Sequence, residues 1–391
     1  MLRCYRCDRS YESPERARCA CGEPLWFDNV SPDATIDDAG TGLARYTDFL
    51  PVDSFPGLGL GAGGTTLYRT PRLADWAGCD LALLDETTNP TGSFKDRGSA
   101  VGVAAAMERD VEAVGTVSHG NMAMSMAATA ASVGLDCQVF VPADIPPERL
   151  GYIGQYDPTV VAVEGDYGEL YRESIARSAD RAIEFVNSDA PTRVAGQGTT
   201  AMDIVAGFDF GGPDAIVLPA SSGGHVSGVW RGLLDLERAG YLDSLPELYL
   251  VQAAACDPIA SAYRRDDETV TSQVAGETIA YSIANGDPPS GNRALAAVRA
   301  TDGGATSVTD DEIREARDRL ATHAGISAEP SAATTLAGIR RLTASGRLGP
   351  GDEVAGIVTG TGFTEPPPTD VPEPTEIDLE EFSAYLDAEL S

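Results

Sequence analysis

Lysine occurs once in the 391 residues, at Lys95 within NPTGSFKDRG (89–98), and arginine supplies the rest of the 28 basic residues. Arginine stays protonated in proteins, whereas lysine can shed its proton and attack a carbonyl. A chain that uses arginine wherever only positive charge is needed marks Lys95 as a group kept for amine chemistry, with Schiff-base formation the leading form. Two further stretches carry polar residues in turns suited to binding. SHGN (118–121) brings Ser118 and Asn121 together, and SSGGHVSG (221–228) is a glycine turn whose backbone N–H groups suit a phosphate. At the N-terminus, Cys4, Cys7, Cys19 and Cys21 follow a C-x2-C…C-x-C spacing. Four clustered thiols suit a tetrahedral zinc ion, with a metal-free ribbon as the alternative.

Short apolar runs at 81–86, 113–118, 137–142, 159–165, 215–220, 248–254 and 353–360 alternate with helical patterns. The helical patterns cover 97–108, 121–133, 168–181, 227–239, 310–323 and 331–345. This alternation predicts an α/β protein with parallel sheets. Such folds place ligands at the carboxyl ends of their strands. Lys95, the 118–121 turn and the 221–225 turn each follow a predicted strand, and Thr359 lies at the end of the last one. A reactive lysine, a phosphate cradle and further polar strand ends together point to pyridoxal 5'-phosphate.

The 60 acidic residues against 28 basic ones give a net charge of −32. Such a polyanion repels nucleic acid and anionic membrane, so neither is an expected partner. An acid excess with almost no lysine also suits a halophile, because molar salt screens the self-repulsion. No apolar run reaches the roughly 18–20 residues that span a bilayer, and MLRCYRCDRS lacks the apolar core of a signal peptide. The predicted location is the cytoplasm. The expected partner is a small-molecule amino-acid substrate, with a homodimer left open.

NPTGSFKDRG resembles the cofactor-lysine motif of the threonine synthase family, within the fold-type-II pyridoxal-phosphate enzymes related to the tryptophan synthase β subunit. CACGEPL, EGDYGELYR (164–172), VNSDAPTRVAGQGTTAMDI (186–204), IAYSIANGDP (279–288), GISAEPSAATTLAG (325–338) and VTGTGF (358–363) resemble successive family blocks in order. The resemblance implies a tryptophan synthase β-like fold of two lobes with an N-terminal zinc-ribbon-like segment. It implies a Schiff base at Lys95 and contact of Asn121 with the ring hydroxyl. Ser221, Ser222, Gly223, Gly224 and His225 would cradle the cofactor phosphate, and Thr359 would meet the pyridine nitrogen. Ser118 would bind the substrate carboxylate. Arg172 would bind the substrate phosphate with Asn187 and Arg193 nearby, and Arg97 is a further helper. The implied reaction turns O-phospho-L-homoserine and water into L-threonine and phosphate. Met122, Leu84 and Ala284 stand where the family carries threonine, lysine and arginine, and TGTGFTEP lacks the usual histidine and lysine. These departures lie on the substrate side, so a threonine or serine dehydratase or a cysteate-synthase-like enzyme is the alternative. A cofactor-binding protein without catalysis is a third.

The predicted organisation is a ribbon at 1–29, a wrapping segment at 30–59, a large lobe of 60–97 plus 206–363, a small lobe of 98–205, and an acidic Pro-rich tail at 364–391. Within the tail, 377–390 shows an amphipathic pattern expected to dock on the body. Cys79, Cys137 and Cys256 are predicted core residues. The ribbon, outside both lobes, is expected to bear on stability or assembly more than on turnover.

Overall fold

Runs such as LALLD, AIVLP and EVAGIV are apolar at successive positions rather than alternate ones. They can be buried on both faces, as the strands of a helix-covered parallel sheet are. A computed structural model describes residues 1–391 except 14–15, 29, 119, 166, 179–182, 366–372 and 390–391. Its strands are β1 (Leu2–Cys4), β2 (Ser10–Tyr11), β3 (Leu25–Phe27), β4 (Leu67–Arg69), β5 (Asp80–Asp85), β6 (Ala113–Val117), β7 (Asp136–Pro142), β8 (Thr159–Val163), β9 (Ile183–Phe185), β10 (Ala215–Pro219), β11 (Glu247–Ala253), β12 (Gly304–Val308) and β13 (Glu353–Val358). Its α-helices are α1 (Pro71–Ala77), α2 (Lys95–Glu108), α3 (Asn121–Ala131), α4 (Pro147–Gly154), α5 (Tyr167–Ser178), α6 (Pro191–Gly207), α7 (Gly224–Arg238), α8 (Pro258–Arg264), α9 (Gly291–Ala300), α10 (Asp310–Arg319), α11 (Pro330–Ala344) and α12 (Phe382–Glu389).

The larger sheet has the order β12-β11-β10-β13-β5-β4, parallel except for β4. The smaller is β8-β7-β6-β9, all parallel. A third, antiparallel sheet, β2-β1-β3, forms the N-terminal ribbon. Among the described residues, no helix is long and apolar enough to cross a membrane.

Helix α6 is absent from the sequence reading because glycine and β-branched residues weigh against a helix there. Close packing explains those glycines. A Cβ on Gly196 would lie 2.2 Å from the Arg97 carbonyl on α2, and one on Gly232 of α7 would lie 2.2 Å from the Gly198 carbonyl. Leu43, Tyr46, Phe49, Val52 and Phe55 are buried in the core shared with α2, α6 and α7. Cys79, Cys137 and Cys256 are buried as well.

The ribbon packs on α7 and α9. Trp26 meets Trp230 edge-on at 5.2 Å. Burial works to raise the Asp28 carboxyl, but Arg3, Arg238 and Arg231 hold it down to about 2. The docking expected of 377–390 is overturned. Helix α12 forms there, but residues 377–388 are exposed, with Leu379 at 90%. The apolar side chains of 377–388 are interleaved with Asp378, Glu380, Glu381 and Asp387, so docking would press carboxylates against a body of the same sign.

Under α2 lies a buried ion cluster. Arg97 has no exposed surface and donates to Glu86 (2.7 and 2.9 Å), Asp203 (2.6 Å), Thr199 (2.9 Å) and Thr65 (2.8 Å). Tyr46 donates to Asp203 at 2.6 Å and the Asn89 amide to Glu86 at 2.7 Å. Removing one partner of such a cluster leaves buried charges uncompensated. Arg97→Met is expected to lower unfolding stability by about 3–5 kcal/mol, read from the denaturant midpoint; a loss below about 1 kcal/mol would show that the cluster is not the anchor its burial implies.

Candidate active site

The parallel register sets the exits of β5, β13 and β10 side by side. Asp85 is paired with Val358, and Val217 with Gly356. The chain leaving β5 is then stitched to the chain leaving β13: Thr361 N donates to the Gly92 carbonyl at 2.8 Å and Phe94 N to the Thr359 carbonyl at 3.0 Å. Asp96 receives the backbone N–H and hydroxyl of Thr91, both at 2.6 Å. Lys95 opens α2 directly after this stitched turn, with Thr359 (4% exposed) beside it at the end of β13.

Lys95 is largely enclosed, with its Nζ 4.1 Å from the centre of the Phe94 ring. Burial pushes its ammonium down, Arg193 lowers it further and Glu329 works the other way; the result is about 7. The amine is thus poised near neutrality for nucleophilic attack and proton transfer. Arg193 is not a substrate ligand as expected. It has no exposed surface and donates to Val186 O (3.1 Å), Lys95 O (3.3 Å) and Ser99 Oγ (3.2 Å). It fixes the start of α2. Arg97 is likewise consumed by its buried carboxylates and cannot help a substrate anion.

The 221–225 turn lies between β10 and α7, with Gly223 in the left-handed region at φ 81°. The turn is walled on two sides. A Cβ on Gly223 would lie 2.6 Å from the Ser290 carbonyl, and one on Gly224 would lie 2.3 Å from the Ser188 carbonyl. Only glycine fits at both positions, and the first-turn N–H groups of α7 have no intrahelical acceptors. These amides suit an anion. The His225 ring does not take part: it stacks on Phe94 at 3.9 Å and 12°, and its Nε2 pairs with Thr200 Oγ1 at 3.1 Å. Burial, then Lys95 and Arg97, holds it well below 6.5 and so neutral. Ser93 Oγ, Gln197 Oε1 and His225 Nδ1 are buried around Lys95 and the turn with no hydrogen-bond partner among the described residues. A nucleophilic amine, an anion cradle and orphaned polar atoms side by side fit an aldehyde cofactor that carries a phosphate.

Across the cleft, Ser118 is buried and its Oγ accepts from Gly120 N at 3.3 Å. Asn121 starts α3 and donates to Glu329 at 2.9 Å. Glu329 sits just before Pro330 at the start of α11, its N–H on the Gly360 carbonyl. Burial pushes its carboxyl up to about 7 despite the Asn121 bond. Sequence reasoning missed this residue, because a Glu-Pro pair reads as an ordinary helix start. Asn187 uses its whole amide internally, accepting from Val117 N (2.9 Å) and donating to Ser174 Oγ (2.7 Å). Arg172 is 64% exposed and lies 3.6 Å from Asp287, not in a buried anion pocket. The cation that does line the cleft is Arg149, also missed. Gly120, Asn121, Met124, Arg149, Thr364 and Glu365 line a partly open pocket beside the start of α3, with Tyr152 and Ile153. Arg149 pairs with Glu365 at 3.3 Å and covers the Tyr281 ring at 4.3 Å.

In the ribbon, Cys4 and Cys21 are 3.6 Å apart, Cys7 and Cys19 3.6 Å, and Cys7 and Cys21 3.8 Å, sulfur to sulfur. Four sulfurs at about 2.3 Å from zinc stand about 3.8 Å from one another, so the donor set fits that ion.

The family described as "Pyridoxal-phosphate dependent enzyme" matches residues 58–360. A threonine synthase of Methanocaldococcus jannaschii is 34% identical over 380 residues, 94% of this chain and 93% of the relative. A threonine synthase of Mycobacterium leprae is 33% identical over 327 residues, 83% of this chain and 88% of the relative. Among solved structures, a threonine deaminase from Solanum lycopersicum aligns with a TM-score of 0.63 at 16% identity, covering 83% of this chain and 88% of that one.

With Lys95 near 7, its neutral fraction rises from about a tenth at pH 6 to about nine-tenths at pH 8. The rate at which cofactor-free protein takes up pyridoxal phosphate, followed by visible absorbance, is expected to rise across that window and then level off. Glu329→Gln removes a carboxylate that favours the charged amine, so the midpoint should move to lower pH. A midpoint near 10 would contradict the environment described for Lys95.

Proposed function

The chain belongs to the pyridoxal-phosphate-dependent enzyme family, among threonine synthase-like lyases, and from that premise we propose that it converts O-phospho-L-homoserine and water to L-threonine and phosphate. The observation that carries this reading is the enclosed Lys95, set between the exit of β13 and the 221–225 turn. When bound, pyridoxal phosphate supplies an electron sink for negative charge developing on the substrate carbons. The chain's own residues do the rest. Lys95 is the covalent anchor, and with a pKa near 7 it can accept and return a proton at neutral pH. The amides of Ser222 to His225 receive the cofactor phosphate. The Thr359 hydroxyl would meet the ring nitrogen, and a hydroxyl, unlike a carboxylate, would not hold that nitrogen protonated; this would favour elimination and replacement over transamination. Ser118 and the α3 N-terminus receive the substrate carboxylate. Glu329 orients Asn121 and is a second group that exchanges a proton near neutrality.

For the substrate phosphate, we assign Arg149 ahead of Arg172. It lines the pocket beside Asn121, and its partner Glu365, which burial pushes up, can yield it to an incoming anion. The exposed position of Arg172, with Leu84, Met122 and Ala284 on the substrate side, favours the second reading, a dehydratase acting on threonine or serine. The deciding assay offers O-phosphohomoserine, threonine and serine side by side. Threonine and free phosphate from the first are expected, with little keto acid from the others; the reverse pattern overturns the assignment. Arg149→Ala is expected to raise KM for the phosphoester roughly ten- to a hundredfold, the loss of a charge-assisted bond, and Arg172→Ala to change it less.

We also propose that Cys4, Cys7, Cys19 and Cys21 hold a structural zinc. Elemental analysis is expected to find one zinc per chain, lost on Cys4→Ser; purified, folded protein without stoichiometric metal would refute it.

A further inference from the structure

The sequence places the ribbon outside the catalytic lobes, yet one ribbon side chain reaches the walls of the 221–225 turn. Arg18 immediately precedes Cys19 and is bridged to Pro24 across the ribbon. Its guanidinium donates to the Gly22 carbonyl at 3.3 Å, inside the cysteine knuckle. The same group leaves the ribbon in two directions. One nitrogen donates to the Asp189 carboxylate, which is 1% exposed, and another to the Pro289 carbonyl at 3.1 Å.

Those two acceptors are the chain neighbours of the residues that wall the turn. Ser188, next to Asp189, presents the carbonyl packed on Gly224; Ser290, next to Pro289, presents the carbonyl packed on Gly223. Ser290 also donates its N–H to the Ser222 carbonyl at 2.8 Å. On the far side of Asp189, the Tyr171 hydroxyl donates to the same carboxylate and shares a bond with Ser188 Oγ at 2.9 Å. Arg18 therefore ties the 187–190 loop to the 288–290 loop from outside, and the turn is held between them. Asp189 has its two oxygens divided between Tyr171 and Arg18, so loss of Arg18 leaves a buried carboxylate half-satisfied and free to pull Ser188 away from Gly224.

We propose that Arg18 is a positioning residue for the phosphate cradle, and that metal held by the four cysteines, by fixing the backbone at Cys19, sets the affinity of this turn for a phosphate ester. The inference rests on the reading that the 221–225 turn binds the cofactor phosphate. It makes the ribbon a clasp on the cofactor site and couples two ligands, a thiolate-bound metal and a phosphorylated aldehyde, through one guanidinium.

The test uses the full-length cofactor-free protein and two probes, pyridoxal phosphate and pyridoxal, whose affinities are read by absorbance titration rather than by turnover. Arg18→Ala is expected to weaken pyridoxal phosphate roughly ten- to a hundredfold, the range for losing one charge-assisted contact, and to leave pyridoxal unchanged. Stripping the metal from the unsubstituted protein should have the same selective effect, and stripping it from Arg18→Ala should add little. Arg18→Lys keeps the charge on Asp189 but lacks the fork that spans both loops, so it should fall between; it also serves if the alanine variant folds poorly. Equal weakening of both probes, unchanged pyridoxal phosphate affinity in both variants, or a metal effect undiminished in Arg18→Ala each overturns the proposal. If the unsubstituted protein binds pyridoxal as tightly as pyridoxal phosphate, the phosphate-cradle reading itself fails, a result distinguishable from the others.

Discussion

A guanidinium without access to water, two residues from the nucleophile, is the constraint on which the site is built. Arg97 is affordable in the interior only because Glu86 and Asp203 share its charge and two threonines take further N–H groups. Those partners come from three places: the exit of β5, the stretch just before β4 and helix α6. Satisfying one charge therefore fixes where α2 starts, and Lys95 is its first residue. Arg193 braces the same turn by holding the Lys95 carbonyl. Two of the three arginines that sequence logic lent to the substrate, Arg97 and Arg193, turn out to hold the amine in place.

The geometry separates cofactor chemistry from substrate recognition. Of the groups proposed to meet a pyridoxal phosphate, Lys95, the 221–225 turn and Thr359 follow strands of the larger sheet and Asn121 follows β6 of the smaller one; the register of such strands is set by parallel pairing and cannot slip without turning every side chain over. The groups proposed to face the substrate come from α3, α4 and the segment after β13, where Arg149, Glu365 and Tyr281 are joined. Such side-chain contacts can be exchanged without disturbing a sheet. The departures from the threonine synthase pattern at Met122, Ala284 and the 359–365 run fall on loops and helix starts of this kind; Leu84, inside β5, is the exception.

What could be read from sequence follows the same division. Buried parallel strands announce themselves by continuous apolar runs, so β5, β6, β7, β8, β10, β11 and β13 were legible, and with them Lys95, the 118–121 turn and the 221–225 turn. The short β4, β9 and β12 carry polar or small residues at a sheet edge or near it, and α6 hides behind glycines that serve helix contact. Glu329 and Arg149 were missed because their meaning is tertiary. A glutamate before a proline and an arginine in a first helical turn become functional only when another lobe encloses them. The reverse error, with Arg193 and Asn187, has the same cause: residues inside a recognisable block can be consumed as scaffold. The amphipathic tail shows the limit of periodicity, since an apolar stripe docks only where electrostatics lets it approach.

The solitary lysine has a consequence for how the molecule can be marked in a cell. Lysine acetylation, lysine methylation and ubiquitin-like conjugation to lysine all require its side-chain amine. Here the one side-chain amine is enclosed at the floor of the cleft, where the reaction needs it. The acidic exterior, with its arginines, offers such machinery nothing to modify. Any lysine-directed mark on this chain would have to displace the cofactor first, so control of its lifetime or partnering must come through other residues or through the N-terminal amine.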